Sequence, residues 1–135
     1  MDKPKILLVD DDPDVVELMR ITLEANGYQF YRAATGPEGL KMVKEIRPDL
    51  IILDVMMDTT TAGFQVSYQL RSNDPKSEYR EFCRTPIIMM TGVSQQLHMK
   101  FSPKQDGDYL PVDEFLEKPV RVDPLLEKIK KLLKR

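Results

Sequence analysis

Apolar residues along this chain fall into two alternating patterns. In KILLV (5–9) the run Ile6–Val9 is unbroken, the mark of a strand buried on both faces rather than one. Asp12 and Pro13 then form an N-cap and first-turn pair, and Val15, Val16, Met19, Ile21 and Leu23 continue at helical spacing to the stop at Asn26-Gly27. YQFYR (28–32) predicts a second strand. GPEGLKMVKEI predicts a helix with Pro37 at its first position and Leu40, Val43 and Ile46 along one side, ended by Pro48. LIILDV predicts a third buried strand, FQVSYQLR a helix, PIIMMT a fourth strand entered through Pro86, and the short, charged DEFLEK a fifth. From about Arg121 a last helix turns Leu125, Ile129, Leu132 and Leu133 inward. Its Lys128, Lys130, Lys131 and Lys134 face outward as a solvated face that complements the helix dipole.

Strands that alternate with helices predict an α/β fold: a parallel sheet covered on both faces by right-handed crossovers. Five such strands fit a doubly wound, flavodoxin-like sheet of order 2-1-3-4-5. At 135 residues the chain is the size of one ordinary domain, so residues 1–135 are expected to form a single domain. No output domain is expected after the last helix.

Composition narrows the chemistry. A net charge of -2 gives no reason to expect direct nucleic-acid binding. The apolar runs are far too short for membrane insertion, and the N-terminus lacks the apolar core of a signal peptide. The lone Cys83 makes no internal disulfide, which points to a reducing cytoplasm. One Cys and one His argue against a zinc site and leave oxygen ligands for any metal.

In a doubly wound sheet ligands collect beyond the carboxyl ends of the strands. Here those ends carry Asp10 and Asp11, Asp54, Thr91 and Lys118. Hard oxygen ligands in that number suit Mg²⁺, with Mn²⁺ the other ion that fits, and leave room for phosphate oxygens. A hydroxyl and an ammonium beside such a metal are what a phosphoryl group requires. A carboxylate can itself be the nucleophile, and Asp54, on the strand expected at the sheet's centre, is the best placed. Asp12 reads as a helix cap rather than a ligand.

KILLVDDDP, PDLIILDVMM, PIIMMTG and FLEKPV, in that order, resemble the receiver domain of two-component response regulators over nearly the whole chain. The resemblance implies a phosphorylation-dependent switch that accepts a phosphoryl group on Asp54 from a histidine kinase or phosphotransfer protein. It makes Asp11 a direct Mg²⁺ ligand, Asp10 a ligand through water, Asp54 itself a ligand, and the Met56 backbone carbonyl the third direct protein ligand. Thr91 would hydrogen-bond the phosphoryl group, Lys118 would pair with another of its oxygens, and Phe115 would be the aromatic switch position. The Lys118-Pro119 bond would be cis. The implied protein catalyses only its own phosphorylation and dephosphorylation and acts through a downstream partner, with a phosphorylation-dependent dimer as one outcome.

Departures from the family pattern lie in the loops. Asp58 stands where family members commonly have proline, and one residue is inserted before Gly63. RSNDPKSEYREFCRTP is longer than the usual link into the fourth strand. The 27 positions from Thr91 to Lys118 exceed the usual spacing and include Pro103, Gly107 and Pro111, which predicts a short or irregular helix there. Met56 and Val93 offer no polar group to orient a water, which predicts a long-lived phosphoryl state. The competing reading is a pseudo-receiver, an interaction module that keeps the fold without being phosphorylated. A phosphatase of the aspartyl-phosphate type would want an acid-base carboxylate where Met56 stands. A flavin site would want glycine where the first loop is acidic.

Overall fold

A computed structural model describes residues 3–54, 85–91, 113–117 and 121–133, together with Leu70, Lys76 and Phe82. In chain order the elements are β1 (Lys5–Val9), α1 (Pro13–Ala25), β2 (Gln29–Ala33), α2 (Gly36–Ile46), β3 (Leu50–Asp54), β4 (Ile87–Thr91), β5 (Glu114–Glu117) and α3 (Val122–Leu133). All strand pairs are parallel, and the sheet order is β2-β1-β3-β4-β5, as the alternation of elements predicts. Of the helix expected over FQVSYQLR only Leu70 is described, helical and buried, and the helix expected after Thr91 lies outside the described residues.

The continuous apolar runs of the sequence resolve into two cores because side chains alternate across a sheet. Leu7, Val9, Ile51, Leu53, Ile87 and Met89 face α2 and pack with Leu40 and Val43. Ile6, Leu8, Leu50, Ile52, Ile88 and Met90 face the other way, against Met19 and Leu23 of α1 and Leu125, Ile129 and Leu132 of α3. Each of these strand residues is fully buried. Gly39 lets α2 approach β1 closely, since a Cβ there would stand 2.8 Å from Val9 Cγ2.

Element ends shift by a residue or two from the expectation, and the reasons are local. β2 begins at Gln29 and reaches Ala33, one residue later than YQFYR, because Gln29 N–H donates to Pro4 O and Asp10 N–H to Ala33 O. α2 begins at Gly36, so Pro37 is not its first residue. Thr35 is the N-cap, its hydroxyl accepting from Glu38 N–H, while the Glu38 carboxylate accepts from Ala34 N–H. The helix stops at Ile46 with Arg47 in the left-handed region (φ 51°), ahead of Pro48. Ile21, expected on the apolar side of α1, is 55% exposed.

Two of the lysines expected to form a solvated face on α3 are engaged. Lys128 Nζ and Lys131 Nζ donate to the two oxygens of the Glu114 carboxylate, at 3.1 and 2.8 Å, tying α3 to the edge strand β5. Burial pushes the Glu114 carboxyl up, and the hydrogen bonds from Lys131 and Lys128 outweigh it, leaving it below its ordinary value of 4.5. A carboxylate with a lowered folded value adds stability in full above the unfolded value and loses it as pH falls through the folded one. Glu114→Gln is therefore expected to be less stable than the parent protein at pH 7. The gap should close below about pH 4.5, in denaturant melts across that range.

Candidate functional site

The site grows out of the strand period. Ile6 and Leu8 of β1 and Leu50 and Ile52 of β3 share one face, and two residues on come Asp10 and Asp54. β1 and β3 pair with Leu8 opposite Ile52 and Val9 opposite Leu53, so the two carboxylates arrive side by side at the carboxyl edge. Asp10 is 0% and Asp54 1% exposed. Exposed Asp11 completes the group, with one carboxylate oxygen from each of the three within 4.8 Å of the others.

Local bonding fixes the loop that carries two of them. Asp10 N–H donates to Ala33 O at 3.0 Å, prolonging the β1–β2 ladder by one bond. Asp10 Oδ1 accepts from the Asp12 N–H at 2.9 Å, which folds the chain into a turn. Asp12 then caps α1, its Oδ1 accepting from Asp14 N–H at 2.9 Å, with Pro13 in the first turn as the sequence predicts. Asp12→Ala should cost about 1 kcal/mol of stability in a thermal melt while leaving divalent-cation affinity within about twofold.

Sequence reasoning did not single out Arg32. Its Nε donates to the backbone carbonyl of Asp10 at 3.1 Å from the neighbouring edge strand. The only signal in the sequence is a cation near the carboxyl end of a strand that borders the acidic loop.

Thr91 is the last residue of β4, one position beyond the Asp54–Met90 pair, and lies level with Glu117 of β5. Phe115 is in β5 opposite Met89. The side chains of Thr91 and Phe115, together with Met56, Lys118 and Pro119, lie outside the described residues. So do Asp58, Val93 and most of the loops that depart from the family pattern.

The donor set fits a hard divalent cation. It consists of carboxylate oxygens alone, two of them on buried side chains, and a cation among them would offset the repulsion of like charges this close. Among the described residues no helix is long and apolar enough to cross a membrane.

Comparison with known proteins agrees with this geometry. The "DNA-binding dual master transcriptional regulator RpaA" of Synechocystis is 33% identical over 132 residues, which are 98% of this chain and 50% of that protein. The response regulator MprA of Mycobacterium leprae is 37% identical over 131 residues, 97% of this chain and 51% of its own length. The chain thus spans about half the length of these curated relatives. The crystallised chemotaxis response regulator CheY4 of Vibrio cholerae superposes with a TM-score of 0.72 at 31% identity, covering 96% of this chain and 98% of its own. The family model of the response regulator receiver domain matches residues 6–130. A flavodoxin-like sheet of this order, three aspartates gathered at its carboxyl edge and a match over nearly the whole length place this chain in the receiver-domain family of two-component response regulators.

Proposed function

We propose that this receiver domain is a phosphorylation-driven switch whose acceptor is Asp54. The observation that carries the reading is the gathering of Asp10, Asp11 and Asp54 within 4.8 Å, with Asp54 buried at the end of the central strand. The donor is a phosphohistidine on a histidine kinase or phosphotransfer protein. An Asp54 carboxylate oxygen attacks phosphorus, the O–P bond forms as the donor's N–P bond breaks, and the departing imidazole nitrogen keeps the electron pair and takes up a proton. Mg²⁺, or Mn²⁺ in its place, supplies positive charge against the phosphoryl oxygens when bound.

This chain's own groups do the rest. Asp11 and Asp54 would hold the cation directly, Asp10 would do so through water, and the Met56 carbonyl would complete the protein ligands. The Thr91 hydroxyl and Lys118 ammonium take up phosphoryl oxygens, and Phe115 follows Thr91 inward, giving two conformations that a downstream partner or a second copy distinguishes. The domain turns over no separate substrate and works in the cytoplasm.

Beryllofluoride, which mimics the phosphoryl group on a carboxylate, tests this. With Mg²⁺ it should shift backbone amide signals from Asp54 across to β4 and β5. A spectrum that stays still in the parent protein would sink the switch reading and leave an interaction module.

A further inference from the structure

Arg32 carries more than a surface charge. The parallel ladder between β1 and β2 ends with Asp10 N–H to Ala33 O. In a continuing parallel ladder the Asp10 carbonyl would look to a backbone N–H of the adjacent strand. That strand has turned away: the N–H in register is that of Thr35, which is already the cap of α2 and makes no ladder bond to the Asp10 carbonyl. Asp10 is fully buried, and a buried carbonyl needs a donor. Arg32 supplies one from its side chain, through Nε at 3.1 Å, which is its only hydrogen bond to the described residues.

The Asp10 carbonyl belongs to the peptide that joins Asp10 to Asp11. We propose that Arg32 is a positioning residue for the divalent-cation site: by holding that peptide plane it fixes the direction in which the Asp11 carboxylate leaves the chain. Asp10 is thereby tied at its N–H by Ala33, at Oδ1 by Asp12 and at its carbonyl by Arg32. This role rests on the reading of the three aspartates as a Mg²⁺ site. It differs from a charge effect in sign, since a guanidinium near a cation site repels the cation and its removal alone would tighten binding.

Mg²⁺ titration of the full chain, followed by backbone amide shifts, separates the possibilities. Arg32→Met keeps the apolar stem and loses the donor, so Mg²⁺ affinity should fall about tenfold, the lower end of what loss of an outer-shell contact costs. Arg32→Lys keeps the charge and carries a donor one bond further out, so it should bind Mg²⁺ more tightly than Arg32→Met without fully matching the parent protein. Melting of the metal-free variants, measured alongside, reports any purely structural loss, which would lower the melting temperature without moving Mg²⁺ affinity. Unchanged or tighter Mg²⁺ binding by Arg32→Met, or binding by Arg32→Lys as weak as by Arg32→Met, overturns the positioning role. Absence of Mg²⁺ binding by the parent protein would defeat the switch reading itself and this role with it.

Discussion

Asp54→Asn is expected to make the metal-free protein more stable while abolishing phosphoryl uptake. The stability half follows from electrostatics. Asp10 and Asp54 are both buried with carboxylate oxygens no more than 4.8 Å apart, a separation at which two unit charges repel by about 1 to 3 kcal/mol for an effective dielectric of about 80 to 20. Asparagine keeps the shape and the hydrogen-bonding capacity but removes one of the charges. A gain of about 1 to 2 kcal/mol, or several degrees in melting temperature, should result. Mg²⁺ should then raise the melting temperature of the parent protein and do so much less for the variant, because a cation that binds only the native state stabilises by mass action. The chemical half is simpler: a neutral amide lacks the carboxylate nucleophile, so labelling from a phosphodonor should fall to background. A variant destabilised without metal would show that the other interactions of the Asp54 carboxylate outweigh its repulsion from Asp10.

Ile52→Ala should be the most damaging apolar truncation near the site. Ile52 is fully buried in the central strand, between Leu8 and Ile88 and two residues before Asp54, on the face that packs against α1 and α3. Truncation removes three carbons from a close-packed position, and such changes cost about 2 to 5 kcal/mol. That is a large part of the 5 to 15 kcal/mol that holds a domain of ordinary stability. Ile21→Ala is the matched control, because Ile21 is 55% exposed on the outer side of α1, and its change should stay within about 0.5 kcal/mol. Equal losses for the two in urea titrations would refute the two-core assignment.

The contrast between these isoleucines shows how far the sequence could be read. In the strands four or five consecutive apolar residues had one physical explanation, burial on both sides, and the cores bear it out residue by residue. Val15 and Val16 stand four and three residues before Met19, Leu23 stands four after it, and all four face the sheet. Ile21 follows Met19 by two, about 200° around a helix, so its burial was never implied by the period. Apolar character alone had placed it with the others.

Asp10, Asp11 and Asp54 were legible for a related reason. A parallel doubly wound sheet brings all strand ends to one edge, so the residue that follows each apolar run is near the others whatever the register. The partners of those residues were not legible. Arg32 reaches Asp10 across a strand pair, and Glu114 meets Lys128 and Lys131 from an edge strand. Such contacts depend on side-chain reach, which a one-dimensional pattern of charges does not carry. The cap of α2 was hidden differently, since Pro37 looked like the helix start while Thr35 and Glu38 together form the cap.

Intact-mass measurement after incubation with acetyl phosphate tests the central claim most directly. The parent protein with Mg²⁺ should gain the mass of one phosphoryl group, and should gain nothing when the metal is chelated or when Asp54 is replaced by asparagine. No gain in the parent protein, or an equal gain in Asp54→Asn, would contradict the assignment of Asp54 as the phosphoacceptor.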